Sequence, residues 1–187
     1  VKCRGQSFRG GLHDFVIAMG GIPGFPSLVE ADHRSPFSDR TMGSGLPAID
    51  ALLGGGIAAG SSTLIIGPAG TGKSLLCFHY LAAAVARGER AALFVFDEEI
   101  GRLFERAKPL GFDLAAMRDA GKLSVTQLDA AELSPGEFAH RVRNGVQDPA
   151  VKTVVIDSLN GYQAAMPQEK SLILHMHEIL QFLNRHS

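Results

Sequence analysis

The octapeptide Gly67-Pro68-Ala69-Gly70-Thr71-Gly72-Lys73-Ser74 matches the pattern G-x-x-x-x-G-K-[ST]. The apolar residues 63–66 before it predict a short buried strand, and residues 73–87 after it predict a helix that stops at Gly88. A glycine-rich loop between a strand and a helix is the context in which this pattern binds phosphate. We therefore expect a phosphate site here, and a chance glycine-rich turn is the alternative.

Each part of the octapeptide can contribute to holding a polyphosphate. Glycines at positions 67, 70 and 72 allow backbone N–H groups to surround phosphate oxygens, because no Cβ stands in the way. The helix that follows directs the positive end of its dipole at the same negative charge. Lys73 supplies a cation to the terminal phosphates, and the hydroxyl of Ser74 is a ligand for Mg²⁺. The sequence therefore predicts binding of ATP, or of a close relative, with Mg²⁺.

A second predicted strand, residues 152–156, ends in Asp157. If this strand neighbours the one that leads into the phosphate loop, Asp157 lies beside Ser74 and holds Mg²⁺ through its water shell. The alternative is a structural role, in which Asp157 caps the turn at residues 158–161. We prefer the metal-binding interpretation because the phosphate loop lies upstream.

A third predicted strand, residues 91–96, is followed by the acidic residues Asp97, Glu98 and Glu99. Carboxylates at the C-terminal edge of a parallel sheet lie where ligands bind in open α/β folds. There, a carboxylate can polarise the attacking water. The alternative is an acidic first helical turn that interacts with the helix dipole, the role expected for Glu99. Asp97 and Glu98 are both candidates for the catalytic base, with Glu98 preferred.

From about residue 44 onward, predicted strands alternate with predicted helices. Another strand is expected at residues 123–125, and helices are expected at 102–110, from residue 134, and at the end of the chain, where one face would hold Leu172, Met176, Ile179, Leu180 and Leu183. This alternation predicts an α/β P-loop NTPase fold with a mainly parallel central sheet flanked by helices. Because a sheet cut after this last helix would expose an apolar edge, we expect C-terminal strands to be missing.

The chain divides into three predicted zones. Residues 1–33 carry paired glycines around an apolar run, which predicts a short β-rich segment with tight turns. Residues 34–43 are polar, contain a proline and are expected to be a linker. Residues 44–187 form the predicted P-loop module. The first residue is not Met and the chain stops straight after a predicted helix, so we expect it to be incomplete at both ends.

Composition narrows the possible classes of function. The 187 residues carry a formal net charge of −1, so no global positive field attracts nucleic acid or anionic membranes. The two cysteines, Cys3 and Cys77, are too few for a disulfide framework and are interpreted as reduced thiols. No apolar run is long enough to span a bilayer. These features predict a cytoplasmic protein without membrane association.

Further motifs surround the loop. They are residues 44–56 (SGLPAIDALLGGG), Phe96-Asp97-Glu98, residues 111–114 (GFDL), residues 156–162 (IDSLNGY) and Ala165-Met166-Pro167. Together they resemble the KaiC-like branch of the RecA superfamily of ATPases, over residues 44–185. The resemblance implies a RecA-like fold, hydrolysis of ATP, a homohexameric ring with ATP at the subunit interfaces, and signalling through a protein partner of unknown identity.

The first residues, Lys2-Cys3-Arg4-Gly5, resemble the end of a preceding module in this family. Members carry two modules in tandem, each ending in a β-hairpin region with a Lys-x-Arg-Gly motif. The resemblance implies that Lys2 and Arg4 reach the ATP of a neighbouring subunit, where cations stabilise the transferring phosphoryl group. They would serve the first module's ring and not the loop at residues 67–74. The alternative is an ordinary solvated strand.

Two other functions remain open on the same fold. A DNA-dependent motor or recombinase needs basic mobile loops, and no Lys or Arg follows Asp157 until Lys170. A nucleotide-gated scaffold would bind ATP with little turnover and needs the same phosphate cradle. Autophosphorylation is not inferred, because no Ser/Thr pair matches the acceptor site of the clock members of the family.

Overall fold

The computed structural model of the protein describes residues 14–15, 17, 19–25, 40–96, 98–129, 133–165 and 169–186. The strands are β1 (Asp14–Phe15), β2 (Gly24–Phe25), β3 (Thr41–Met42), β4 (Ile57–Ala58), β5 (Arg90–Phe96), β6 (Leu123–Leu128) and β7 (Val151–Asp157). The α-helices are α1 (Pro47–Leu52), α2 (Lys73–Ala86), α3 (Ile100–Ala107), α4 (Leu114–Asp119), α5 (Pro135–Gly145), α6 (Leu159–Ala165) and α7 (Glu169–His186).

The central sheet is parallel, and β5 lies in its middle. β6 pairs with one edge of β5 and β7 pairs with the other, so the strand order is β6-β5-β7. Both neighbours are separated from β5 by helical connections, as parallel pairing requires. The predicted α/β fold with a mainly parallel sheet flanked by helices is confirmed.

Side chains of β5 alternate between two apolar layers. Ala92, Phe94 and Phe96 face one cluster, to which α5, α6 and α7 contribute. The intervening residues of β5 face a second cluster, formed with α2, α3 and α4. Because successive strand residues point to opposite faces, one strand joins both cores into a three-layer α/β/α arrangement.

Local signals position several helices. The Ser134 hydroxyl accepts from the backbone N–H of Glu137, so α5 begins at Pro135 as the capping pattern predicted. Asp113 caps α4 in the same way by accepting from the N–H of Ala116. The helices α1, α4 and α6 were not among the sequence predictions.

Two small antiparallel ladders precede the central sheet. β1 pairs with β2, and this hairpin packs on α5, where the rings of Phe25 and His140 lie 5.6 Å apart. β3 pairs with β4, so the segment predicted as a linker ends in a ladder with residues 57–58. Apart from residues 14–15, 17 and 19–25, residues 1–39 lie outside the described residues.

The prediction of a strand at residues 63–66 is wrong. Residues 61–68 have no strand conformation, and Leu64 and Ile66 are 64% and 84% exposed. Strand formation depends on a partner that supplies ladder hydrogen bonds and covers the side chains. Among the described strands, β7 pairs only with β5, and no strand pairs with its other edge. The apolar pattern of residues 63–66 is therefore not sufficient to form a strand there.

We predict that Gly145→Ala destabilises the protein. A Cβ at Gly145 would lie 2.8 Å from Cζ of Phe94, a buried ring that cannot move without disturbing the core. The expected loss of unfolding free energy is about 1–3 kcal/mol, measured by urea denaturation.

The matched control is Gly101→Ala, also in a helix. Its Cβ would meet only the end of the Glu99 side chain, at 3.4 Å. Because alanine favours helix over glycine, this change should be neutral or stabilise by up to about 1 kcal/mol. Equal effects of the two substitutions would contradict the predicted close packing at Gly145.

Candidate functional site

The phosphate-loop segment leads directly into the N-terminus of α2. Gly72 is the N-cap residue of this helix and has φ 87°, and Gly70 has φ 80°. Both values lie in the left-handed region, which residues with a Cβ rarely adopt. Glycine is therefore required at these two positions by the backbone of the turn itself.

The loop presents hydrogen-bond donors suited to an anion. Within the part of the chain that the structure describes, the backbone N–H groups of residues 70–74 meet no protein acceptor. These include the first N–H groups of α2, which have no partner inside a helix. Unpaired N–H groups at the positive end of a helix fit the oxygens of a phosphate group.

Lys73 and Thr71 hold the loop in its bent shape. The ammonium of Lys73 donates to the carbonyl oxygens of Gly67 and Pro68, at 2.8 and 2.7 Å. The hydroxyl of Thr71 donates to the carbonyl of Pro68 at 2.9 Å. A Cβ at Gly67 would approach Oγ1 of Thr71 to 2.8 Å, so glycine is needed there for close packing. The cation of Lys73 thus lies inside the loop, as the motif predicts.

The ends of β5 and β7 meet at one edge of the sheet. The register pairs Val95 with Asp157, and Glu98 follows the last residue of β5 by two positions. The two predicted acidic strand ends are therefore neighbours, since parallel strands end on the same side. Asp97 lies outside the described residues.

Asp157 lies close to the beginning of α2. This helix packs against β7. Burial, together with the negative charge of Asp157, raises the pKa of Cys77 to about 11. Cys77 is one helical turn after Lys73, so the negative charge of Asp157 acts on the second turn of α2. The hydroxyl of Ser74 and the carboxylate of Asp157 are both hard oxygen donors, the type that Mg²⁺ prefers.

Glu98 forms an ion pair that the sequence analysis missed. Nε and Nη2 of Arg106 donate to Oε1 and Oε2 of Glu98, at 3.0 and 2.8 Å. Arg106 lies on α3, and its guanidinium carbon is 5.7 Å from the ring centre of Phe78 on α2. Hydrogen bonding to Glu98 raises the pKa of Arg106, and the charge of Asp157 adds to this effect. The sequence feature that could have indicated this ion pair is Arg106 itself, which lies eight residues after Glu98.

An open cavity of about 500 Å³ adjoins the loop. It lies between α1, residues 65–68 and the first turns of α2. Its apolar wall includes Leu46, Ile49, Ile65, Leu75 and Leu76, with His79 beside them. The phosphate loop therefore borders a space large enough for a small ligand.

The segment before α1 is fixed by a polar network. The carboxylate of Asp50 accepts from the backbone N–H and the hydroxyl of Ser44, at 2.7 and 2.8 Å. These hydrogen bonds hold the pKa of Asp50 below its usual range. Ser44 and Asp50 both belong to the motif at residues 44–56, which therefore has a structural role beside the loop.

The other predicted site residues are not brought into this arrangement. Lys2 and Arg4 lie outside the described residues, so their trans-acting role stays a prediction.

Among the residues that the structure describes, no group of three His, Cys, Asp or Glu side chains could hold a metal ion. None of the described helices is long and apolar enough to cross a bilayer.

Comparisons with known proteins identify similar chains. The family model "ATPase: KaiC" matches residues 42–186. The circadian clock oscillator protein KaiC of Acaryochloris marina (strain MBIC 11017) is 31% identical over 163 residues, which cover 86% of this chain and 30% of that protein. The KaiC of Synechococcus elongatus (strain ATCC 33912 / PCC 7942 / FACHB-805) is 30% identical over 161 residues, covering 86% and 31%.

A third relative is the circadian clock protein KaiC3 of Synechocystis sp. (strain ATCC 27184 / PCC 6803 / Kazusa). It is 30% identical over 165 residues, which cover 87% of this chain and 32% of that protein. This chain thus spans about a third of the length of the curated relatives it matches.

The placement of Asp157 can be tested through the reactivity of Cys77. A pKa of about 11, compared with 9.0 for an unperturbed thiol, lowers the thiolate fraction at pH 8 about a hundredfold. Asp157→Asn removes a negative charge that disfavours the thiolate, so the Cys77 pKa should fall. We expect alkylation of Cys77 by iodoacetamide at pH 9, followed by site-resolved mass spectrometry, to become several-fold faster.

Asp148→Asn is the matched control, because Asp148 precedes β7 at the opposite end of the strand. It should leave the alkylation rate of Cys77 unchanged. An identical rate in wild type and Asp157→Asn would show that Asp157 does not face α2.

Proposed function

The chain belongs to the KaiC family of ATPases, and from this premise we infer that it binds ATP with Mg²⁺ at residues 67–74 and hydrolyses it. One observation supports this proposal above all. The helix α2, with Lys73 inside the loop at its N-terminus, packs against β7, which ends at Asp157, and the neighbouring strand β5 is followed by Glu98. This arrangement supports a site in which donors for phosphate lie near carboxylates for metal and water.

Binding begins with the loop. The unpaired N–H groups of residues 70–74 donate hydrogen bonds to the phosphate oxygens. The ammonium of Lys73, which donates to two neutral carbonyls, gains charged oxygens as stronger acceptors. The energetic gain is electrostatic, and it requires no rearrangement of α2, because Lys73 is already held at the loop.

Ser74 and Asp157 would hold Mg²⁺, with Asp157 acting through water. Bound there, the metal neutralises charge that develops on the phosphate oxygens. Glu98 is the preferred base, with Asp97 as the second candidate. The carboxylate orients a water for in-line attack and receives its proton while the oxygen bonds to the γ-phosphorus and the bond to the β-phosphate oxygen breaks.

Substitution of Lys73 tests the proposed activity. Lys73→Ala should lower phosphate release from ATP by about a hundredfold or more in the full-length protein, because the loop loses its only side-chain cation. Lys122→Ala, an exposed lysine before β6, should keep the wild-type rate. Equal rates for wild type and Lys73→Ala would refute ATP hydrolysis at this loop.

We extend the proposal to assembly. A cytoplasmic homohexameric ring with ATP at the interfaces, acting in signalling through a protein partner, agrees with the family of the chain. In the ring of the preceding module, Lys2 and Arg4 would stabilise the phosphoryl group bound by a neighbouring subunit. Cations supplied across a boundary would connect assembly with turnover.

Assembly can be measured directly. The full-length protein should sediment as a hexamer with ATP and Mg²⁺ and as smaller species after nucleotide removal, since nucleotide at an interface stabilises the assembled form. Lys73→Ala should remain small under both conditions if its own site drives assembly. A monomer of unchanged size with and without ATP would contradict the proposed ring.

A further inference from the structure

Arg106 connects three parts of the candidate site. Its guanidinium donates two hydrogen bonds to the carboxylate of Glu98. The same group lies over the ring of Phe78, a fully buried residue of α2. It also experiences the negative charge of Asp157 at the end of β7. One side chain of α3 is thus in contact with the candidate base and with the helix that begins at the phosphate loop.

The Glu98–Arg106 pair is poorly placed to stabilise the fold. The side chain of Arg106 is 44% exposed and that of Glu98 is 29% exposed. Ion pairs with this exposure contribute little to stability, because water screens both charges. α3 is instead held by Leu103 and Ala107, which are fully buried. Stabilisation of the fold is therefore not sufficient to explain the presence of this ion pair.

The geometry of the pair restricts the carboxylate. Two parallel N–H···O bonds fix both the position and the plane of the Glu98 carboxylate, which a single-point contact would leave free to rotate. Each carboxylate oxygen has a second lone pair, so Glu98 can still accept a hydrogen bond from water. The contact between Arg106 and Phe78 connects the oriented carboxylate of Glu98 to α2, the helix that begins at the phosphate loop.

We propose that Arg106 is a positioning residue that holds the Glu98 carboxylate in the orientation needed to accept a proton from the attacking water. The inference rests on the proposed function, and it deepens it by assigning the support of the base to a residue outside the phosphate loop. Arg106 acts through Glu98 and does not contact the nucleotide. Its loss therefore affects turnover and leaves the binding of ATP intact.

Steady-state kinetics of the full-length protein test this role. Arg106→Gln should lower kcat about tenfold to a hundredfold, with KM for ATP changed less than twofold, because a misplaced base slows the chemical step alone. Arg106→Lys keeps the charge without the two-point contact and should recover part of the lost rate. Melting temperatures of both variants should match that of wild type, as expected for an exposed pair.

The control is Arg102→Gln on the same helix. Arg102 is 81% exposed and lies 3.9 Å from Glu99, away from the base. This variant should keep the wild-type kcat and KM. A loss of kcat as large as that of Arg106→Gln would show that removal of either arginine from α3 slows turnover, and would overturn the specific role of Arg106.

A double-mutant cycle separates positioning from an independent effect. With Glu98→Gln as background, Arg106→Gln should lower kcat by less than twofold further, because the group that it positions is already lost. Multiplicative effects of the two substitutions would overturn the proposal. A raised KM with normal kcat would overturn it too, since Arg106 would then bind nucleotide directly.

The outcomes distinguish this inference from the proposed function. If Lys73→Ala abolishes phosphate release and Arg106→Gln keeps the full rate, ATP hydrolysis stands and the role of Arg106 fails. If wild type and Lys73→Ala release phosphate equally, hydrolysis at this loop fails, and the role of Arg106 fails with it.

Discussion

The parallel hydrogen-bond ladder between β5 and β7 is the constraint on which the candidate site depends. Its register pairs Val95 with Asp157, so both strands end at the same edge of the sheet. The two apolar clusters hold this ladder between helical layers and prevent it from sliding. A shift of one residue would turn Asp157 to the opposite face of the sheet. The relative positions of the acidic groups are thus a consequence of core packing.

The helix α2 carries this constraint to the phosphate loop. Phe78 and Leu81 anchor it in the core with β5, and its N-terminus is capped by Gly72 in the left-handed region. Because a helix is rigid over a few turns, burial of its middle fixes the direction of its first N–H groups. Arg106 then joins α2 to the end of β5 through Phe78 and Glu98. Hydrophobic packing, loop and acidic edge form one connected unit.

Sequence reasoning succeeded where the signal is local and failed where it depends on a partner. The start of α5 was predictable because Ser134 caps it through a contact three residues away. The strand expected at residues 63–66 did not form, since an apolar pattern does not specify the neighbouring strand with which these residues would pair. The Glu98–Arg106 pair was missed because the two residues flank a turn between a strand and a helix, outside the spacing rules of a single helix.

The sequence by itself determined the phosphate loop, the alternation of strands and helices, and the acidic residues at two strand ends, because each depends on residues close together in the chain. Tertiary structure alone decided the order β6-β5-β7, the placement of Asp157 beside α2 and the engagement of Glu98 by Arg106. These features depend on which elements pack together. That choice follows from long-range burial of apolar surface, which periodicity in one segment does not encode.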